Sequence, residues 1–248
     1  MDENPLISVV IPTYNEENYI KDLLESIKQQ TYKNYEIIVS DYHSTDETVK
    51  IAEKYGAKVI EVDRAGVSAA KNEGAKNASG EIIAFIDADY ILSQNVFDQV
   101  VKTFLRNENV VVVEPKSRVN IKDLNLEKRT FFKFYSRWQN FYKSLSFLTP
   151  IPSAYGCVFC RKDAIDKAGL FNENITMNED REFSARLRKV GEFRMINATA
   201  RKSYRRHAKQ GVARTEILYF LSFLPAFLLK EVKIPLKPFR GDNKKKKE

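Results

Sequence analysis

The sequence predicts an α/β fold with a doubly wound, mostly parallel sheet and helices on both of its faces. Strand-like runs alternate with helix-like stretches about every 25 residues in the first half of the chain, as they do in βαβ proteins. These runs are β-branched and apolar, which is typical of strands buried on both faces. Polar clusters follow them directly, and ligands of such sheets bind at the carboxyl ends of the strands.

Four strands and three helices are predicted, in order, in the first half of the chain. The strands lie at residues 7–12, 35–40, 58–62 and 81–86. The helices lie at residues 16–30, from a cap at 44–47 to residue 55, and at 68–78. Asn15 is a suitable N-cap for the first helix, and Gly80 stops the third.

The pattern is looser after residue 95. Strands are predicted at residues 110–113 and 156–160 and a helix at 178–190, with an aromatic and basic stretch at 123–147. With 248 residues and 43% hydrophobic side chains, the chain can bury one substantial core. We therefore predict one domain over residues 1–210, an apolar and basic extension over 211–240 and a disordered basic tail over 241–248.

The net charge of +8 belongs to the C-terminal end. Residues 201–248 contain 14 Lys or Arg and 4 Asp or Glu, which leaves 27 basic and 29 acidic side chains for residues 1–200. A body with a net charge of −2 is not expected to bind nucleic acid. Residues 215–231 are mostly apolar and flanked by bases, which fits either a packed helix or, as we favour, a segment at an anionic membrane surface.

Two cysteines and the N-terminus indicate the compartment. Cys157 and Cys160 are too few for a disulfide framework, and their apolar surroundings predict buried free thiols. The N-terminus has no secretory signal, and no apolar run reaches the ~20 residues that span a bilayer. The protein is therefore predicted to be cytoplasmic, and peripheral on the membrane through its C-terminal segment.

Two acidic pairs are candidates for chemistry. Asp87 and Asp89 follow the fourth predicted strand with one small residue between them, and two such carboxylates suit a hard cation such as Mg²⁺ or Mn²⁺. Asp-x-Asp also occurs on solvated loops, so its place after a buried strand is what favours a metal. Glu179 and Asp180 begin the last predicted helix. In one interpretation they are an acidic pair in the first turn, stabilised by the helix dipole. In the other, one of them is a general base that takes a proton from an attacking hydroxyl.

Other nucleotide-binding and hydrolytic classes fit poorly. The chain has neither G-x-G-x-x-G after the first strand nor a G-x-x-x-x-G-K-[ST] sequence, which argues against dinucleotide dehydrogenases and P-loop proteins. His43 and His207 are its only histidines, and it has no G-x-S-x-G elbow. The site that stays consistent with the sequence has a metal ion, a pocket large enough for a nucleotide, and carboxylates that act as acid or base.

Six strings resemble the motifs of family 2 inverting glycosyltransferases, in that family's order. They are residues 8–16 (SVVIPTYNE), 36–41 with 44–46, 66–74 (GVSAAKNEG), 87–89 (DAD), Gly156 with Arg161, and Glu179-Asp180 with Arg186 and Gly191. The resemblance covers residues 6–210. It implies the GT-A fold, with donor binding over residues 1–100 and acceptor binding over 101–210.

The resemblance implies a role for each matching position. The nucleotide-sugar positions are Pro12, Tyr14, Glu16, Asp41, Lys71, Asp87 and Ala88, with Tyr14 stacked on the base and Asp41 bonded to it. The metal positions are Asp89, Asp87 and His207, of which His207 also fits a structural role. Asp180 is implied as the catalytic base, with Glu179 beside it. The acceptor side comprises Gly156, Arg161 and Trp138.

Two positions depart from the family pattern. The sequence has Asp41-Tyr42-His43 where the family usually has D-D-G, so contacts to the base are expected to differ, with His43 a loop residue rather than a catalyst. Lys71 stands in place of the usual arginine, which keeps the charge and loses the planar fork.

The resemblance implies transfer from a nucleoside diphosphate sugar, with uridine favoured over guanosine, to a glycan or polyprenyl-phosphate acceptor. A divalent cation, Mn²⁺ or Mg²⁺, is the implied cofactor. Two alternatives stay open: a nucleotidyltransferase, although the basic Gly-rich loop of that class is missing after the first strand, and a non-catalytic, membrane-attached module that binds nucleotide sugars.

Overall fold

Eight strands and seven helices lie within the part of the chain that the computed structural model describes, which is residues 1–120, 126–146 and 156–203. The strands are β1 (Ile7–Thr13), β2 (Tyr35–Asp41), β3 (Lys58–Glu61), β4 (Ile82–Ile86), β5 (Tyr90–Leu92), β6 (Val110–Val119), β7 (Cys157–Arg161) and β8 (Glu192–Lys202). The helices are α1 (Ile20–Lys28), α2 (Thr48–Lys54), α3 (Val67–Lys76), α4 (Val96–Arg106), α5 (Leu126–Ser146), α6 (Lys162–Ala168) and α7 (Glu179–Leu187).

The strands form one sheet in the order β3-β2-β1-β4-β7-β6-β8-β5. The first four neighbours in this order are parallel to one another, and β6 and β8 are parallel to each other. β7 is antiparallel to both β4 and β6, and β5 is antiparallel to β8. Six strands therefore share one direction, which confirms the mostly parallel sheet.

Helices cover both faces because alternate residues of the central strands point to opposite sides. In β4, Ala84 and Ile86 belong to a buried cluster that includes side chains of α1 and α4. Ile83 and Phe85 belong to a second cluster with side chains of α3, α6 and α7. The predicted doubly wound arrangement is confirmed. Cys157 and Cys160 are buried free thiols, also as predicted.

The first helix is shorter than predicted. It begins at Ile20 rather than at residue 16, and Asn15 does not cap it. Asn15 has a left-handed backbone (φ 54°), and its Oδ1 accepts a hydrogen bond from the Thr45 amide over 2.8 Å. Its side chain thus joins the loop after β1 to the loop after β2.

The second half of the chain is more regular than the sequence suggested. Helices α4, α5 and α6 and strands β5 and β8 were not predicted, and β6 continues past residue 113 to Val119. Its register shifts between Pro115 and Lys116, and such an irregularity lets a strand accommodate a proline. No helix among the described residues is long and apolar enough to cross a membrane. Residues 211–248, with the predicted extension and tail, lie outside the described residues.

Candidate active site

Three loops meet at one edge of the sheet, as the sequence predicts. Thr13 at the end of β1 pairs with Asp41 at the end of β2, and β4 lies on the other side of β1 and ends just before Asp87. Because these strands are neighbours and parallel, their carboxyl ends bring the polar residues that follow them to the same edge.

The loop after β2 is held by Asp41. Its Oδ1 accepts hydrogen bonds from the Thr13 and Ser44 hydroxyls, both over 2.6 Å, and its Oδ2 accepts one from the Ser44 amide over 2.7 Å. Asp41 is buried. Three donor groups from two residues therefore fix the position of the Asp41 carboxylate. The sequence did not predict that Thr13 and Ser44 bond to Asp41, because each is an ordinary hydroxyl residue whose partner only the fold reveals.

Three aromatic rings lie close together in the loops that follow β1 and β2. The Tyr14 and Tyr42 ring centroids are 5.5 Å apart, and the His43 ring lies 5.4 Å from that of Tyr42. Tyr14 and Tyr42 are partly exposed, so this edge presents ring faces suited to a flat heterocycle. Pro12 lies in β1 opposite Ser40, and the Glu16 amide donates to the Thr48 hydroxyl over 2.8 Å.

His43 is an exposed loop residue, as predicted. Its backbone is left-handed (φ 47°), a conformation that glycine adopts more readily than histidine. Its Nδ1 lies 2.7 Å from Glu61 Oε1, and its Nε2 lies 3.5 Å from Asp63 Oδ1. Both contacts are with exposed carboxylates, one at the end of β3 and one just after it.

Asp87, Ala88 and Asp89 occupy the tight connection between β4 and β5. The Asp87 amide donates to the Gly156 carbonyl over 2.7 Å, and the Ser203 amide donates to the Asp89 carbonyl over 3.1 Å. Ala88 is buried. The turn is therefore held by backbone bonds from the segments that precede β7 and follow β8.

Glu179 and Asp180 begin α7, directly after Asn178 with its left-handed backbone (φ 65°). Lys71, on α3, donates from its Nζ to Asp180 Oδ1 over 2.6 Å and lies 3.9 Å from Glu179 Oε1. Only 1% of the lysine is exposed. Its ammonium also lies 5.0 Å from the centre of the Phe171 ring. The structure thus brings Lys71, predicted as a donor-binding residue, to the proposed base.

Burial and neighbouring charges shift the pKa values of Lys71, Asp87 and Glu179. Burial lowers the pKa of Lys71, but Asp180, Asp87 and Glu179 outweigh burial and raise it above its ordinary value. Burial, assisted by Asp180 and Asp89, raises the pKa of Asp87 to about 6 against the opposing effect of Lys71. Burial and Asp180 raise the pKa of Glu179 to about 7.

The donor set fits a hard divalent cation. Burial is the main cause of the raised pKa of Asp87, but Asp180 and Asp89 also raise it, so these carboxylates lie close enough to act on one another. Mg²⁺ is commonly held by one or two carboxylates, with water and substrate phosphates completing the shell. The described residues contain no group of three His, Cys, Asp or Glu side chains that encloses a metal. His207, the other predicted ligand, lies outside them.

Lys202 is a further charged group that sequence analysis missed. It ends β8, pairs with Val119 and Tyr90, and lowers the pKa of Asp87 against the effect of burial. Since β8 was not predicted from the sequence, nothing in the local pattern placed this lysine near Asp87.

The acceptor-side prediction is corrected at Arg161. Gly156 lies at Asp87, but Arg161 pairs with Ile82 at the start of β4, on the opposite edge of the sheet. Its guanidinium donates to the Val110 and Phe104 carbonyls over 2.8 and 2.7 Å. Because β7 separates the two residues by about 16 Å at strand spacing, both cannot reach the same site. Arg161 fastens β7 to the end of α4 and the start of β6.

Gly156 is required by the close approach of Asp87. A Cβ on Gly156 would overlap the Asp87 carboxylate. The family resemblance implies that Asp87 binds the metal, so we expect Gly156→Ala to weaken Mn²⁺ binding about 10- to 100-fold, the usual effect of displacing a supporting contact of such a ligand. Manganese titration in the presence of UDP, followed by electron paramagnetic resonance, measures this. The melting temperature without metal serves as the folding control, and unchanged Mn²⁺ affinity would contradict the assignment of Asp87.

The fold and the acidic edge define a protein of the GT-A type. The family model for glycosyl transferase family 2 matches residues 8–169, and the chain belongs to that family. Over 183 residues it is 31% identical to an uncharacterised glycosyltransferase of Rickettsia typhi, covering 71% of this chain and 57% of the relative. Against the minor teichoic acid biosynthesis protein GgaA of Bacillus subtilis the identity is 30%, covering 72% of this chain and 42% of the relative. The chain spans less than two thirds of the length of these relatives.

Solved structures show the same fold. A mannosyltransferase of Pyrobaculum calidifontis in complex with GDP-Man and Mn²⁺ superposes with a TM-score of 0.67 at 20% identity, covering 94% of this chain and 66% of the other. TarS of S. aureus in complex with UDP-GlcNAc superposes with a TM-score of 0.61 at 22% identity, covering 79% and 58%. These likenesses establish the GT-A architecture of this chain.

Proposed function

We propose that this protein transfers a sugar from a nucleoside diphosphate sugar to an acceptor hydroxyl or phosphate, with inversion at the anomeric carbon. The observation that carries the proposal is the placement of Asp180 and Asp87 around one buried lysine, at the edge where the ends of β1, β2 and β4 meet. Membership of glycosyl transferase family 2 supports it.

The first two loops are the proposed nucleotide site. Tyr14 stacks on the base, and Asp41, fixed by Thr13 and Ser44, hydrogen-bonds to it or orients the groups that do. Pro12 and Glu16 shape the loop that carries Tyr14. Ala88 leaves room beside the two aspartates for the diphosphate. The donor half then corresponds to residues 1–100 and the acceptor half to residues 101–210.

Asp89 and Asp87 are the proposed ligands of a divalent cation, Mn²⁺ or Mg²⁺, with His207 a further candidate. Such a cation, when bound, offsets the charge that develops on the departing nucleoside diphosphate. The effect of Asp180 and Asp89 on the pKa of Asp87 supports this assignment, because it indicates several carboxylates near one point, where a cation would offset their charge. Mn²⁺ in the mannosyltransferase complex is in line with it.

Asp180 is the proposed general base. Its carboxylate accepts the proton of the acceptor hydroxyl as that oxygen attacks the sugar on the face opposite the leaving group, and one direct displacement inverts the anomeric centre. The Lys71 ammonium donates a hydrogen bond to this carboxylate and so fixes one of its oxygens. Glu179, with its pKa raised to about 7, exchanges a proton near neutral pH and lies beside the acceptor. Gly156 is proposed on the acceptor side, and Trp138 on the face of α5 from which a lipid-linked acceptor would approach.

The proposed acceptor is a glycan or a polyprenyl phosphate, reached by a protein on the cytoplasmic face of a membrane. The basic segment 211–240 is proposed to bind anionic lipid there.

The donor is tested by thermal shift with UDP-, GDP- and dTDP-sugars in the presence of Mn²⁺. We expect UDP-sugars to stabilise the protein most, and a ligand at one hundred times its dissociation constant adds about 2.7 kcal/mol. TarS in complex with UDP-GlcNAc supports uridine, whereas the mannosyltransferase complex contains a guanosine donor. Transfer assays with the stabilising donor then separate the proposal from its rivals. Stabilisation without sugar transfer would indicate a binding module, and pyrophosphate release from a nucleoside triphosphate would indicate a nucleotidyltransferase.

A further inference from the structure

Helix α5 carries a row of exposed aromatic side chains. Phe131, Phe134, Trp138 and Phe141 are 49%, 70%, 51% and 62% exposed. Their spacing of three, four and three residues places all four within about 80° of the helix circumference. We call these four residues the aromatic stripe. Exposed aromatic residues at helical spacing on one face are unusual on a soluble surface and indicate a binding face.

The side of the helix that carries Phe132, Ser136 and Asn140 is packed and fixed. Phe132, Ser136 and the neighbouring Tyr135 are buried, and the Tyr135 ring lies 6.2 Å from the rings of both Phe131 and Trp138. The Asn140 side chain accepts a hydrogen bond from the Ser117 amide over 2.8 Å and donates one to the Ser117 carbonyl over 2.7 Å. The orientation of α5 on β6 is therefore set by contacts of its other face, so the aromatic stripe points outward as a consequence of the fold.

Charge identifies the occupant of this face. Lys133 and Arg137, both exposed, lie on the helix surface between Asn140 and the aromatic stripe. Residues 126–146 contain five Lys or Arg and a single Glu. An apolar face with Trp and Phe beside Lys and Arg is the pattern of helices that lie in the interface of an anionic bilayer. We propose that the aromatic stripe inserts into an anionic membrane surface.

Like charge argues against a second copy of the chain as the occupant. It would bring the same basic flank, Lys133 and Arg137, against itself.

Helix α5 is attached close to the active edge of the sheet. Asn140 is bonded to Ser117, two residues before β6 ends at Val119. The Asn120 amide then donates to the Lys202 carbonyl, and the next residue, Ser203, donates its amide to the Asp89 carbonyl. The end of β6 thus links the packed side of α5 to the segment that holds Asp89.

Trp138 makes the proposal directly testable, because it is the only tryptophan in the chain. With the full-length protein and vesicles of phosphatidylcholine plus phosphatidylglycerol, we expect its emission to shift to shorter wavelength and to be quenched by brominated lipid. High salt should reverse both effects, since it screens the basic flank. Pure phosphatidylcholine vesicles should give much smaller changes.

The double variant Phe134→Ser/Phe141→Ser tests the stripe by vesicle flotation. We expect its partition into anionic vesicles to fall at least about tenfold, the loss corresponding to two aromatic side chains that no longer leave water. Leu105→Ser is the matched control, because Leu105 is also an exposed apolar residue (43%), but on α4. Its partition should equal that of the wild type.

Three outcomes would overturn the proposal. The first is binding of the protein to anionic vesicles with no change in Trp138 emission, which would assign lipid binding to another segment. The second is a dimer that the double variant converts to a monomer. The third is a drop in the melting temperature of the double variant without lipid, which would show that the chain itself covers the stripe. None of these measurements depends on sugar transfer, so failure of the proposed activity leaves the inference untouched.

Discussion

Replacement of Asp180 by asparagine is expected to lower the rate of sugar transfer about 10²- to 10⁴-fold, the range that a positioned general base contributes. Asparagine has the same shape, and its amide oxygen still accepts the hydrogen bond from Lys71, but it cannot take a proton from the acceptor. Nucleotide affinity should stay close to that of the wild type, because Asp180 lies on α7, whereas the base is proposed to bind at the loops after β1 and β2. The measurements are single-turnover transfer and calorimetric titration with UDP.

Glu182→Gln is the matched control for this variant. Glu182 lies on the same first turn of α7, and it receives two hydrogen bonds from Arg186 rather than from Lys71. The Glu182→Gln variant loses a carboxylate as Asp180→Asn does, yet we expect it to transfer sugar at the wild-type rate. If Asp180→Asn turns over at the wild-type rate, Asp180 is not the base. If both variants fail alike, general damage to α7 explains the loss.

Replacement of Lys71 by methionine is expected to destabilise the protein by about 3–5 kcal/mol at pH 8, because removal of one partner of a buried ion pair leaves its acids uncompensated. The loss should be smaller at pH 5. Asp87 and Glu179, with pKa values already raised to about 6 and about 7, take up protons as the pH falls, and their mutual repulsion weakens. Groups whose pKa is raised by folding stabilise the protein at low pH and lose that contribution as the pH rises through the folded value.

Urea denaturation of the metal-free protein at both pH values measures this effect. The double variant Lys71→Met/Asp180→Asn is the matched control, since it removes the ammonium together with the carboxylate that it contacts at 2.6 Å. We expect it to recover part of the lost stability. Equal stability of Lys71→Met and wild type at pH 8 would contradict the role of Lys71, as would a loss that is independent of pH.

The first half of the molecule follows from the sequence because its signals are local. Strands β1, β2 and β4 are short runs rich in apolar residues, and such runs are typical of buried strands in a parallel sheet. Asp41 and Asp87 come directly at the end of such a run, so a parallel arrangement brings them to one edge. The helix start at residue 16 was misplaced because Asn15 bonds to Thr45, a partner from another loop.

The second half was predicted less well for physical reasons that differ between its elements. β5 has three residues and α6 has seven, and elements this short show little periodicity. β8 joins the sheet with a register shift opposite Pro115, which disturbs its alternation. Helix α4 does have its buried residues at helical spacing and was nevertheless passed over. In α5 both the buried residues and the exposed aromatic stripe are apolar, so the sequence does not show the single apolar face that predicts an amphipathic helix.

The sequence by itself determined the α/β class, the strand ends that form the site and the carboxylates that stand there, because each depends on a short stretch of chain. Only the tertiary structure decided which partner each side chain meets. Lys71 contacts Asp180 across 109 positions of sequence, and no local pattern records such a pairing. The antiparallel direction of β7 likewise placed Gly156 at Asp87 and sent Arg161 to the far edge, since strand direction is set by the sheet as a whole rather than by the residues of the strand.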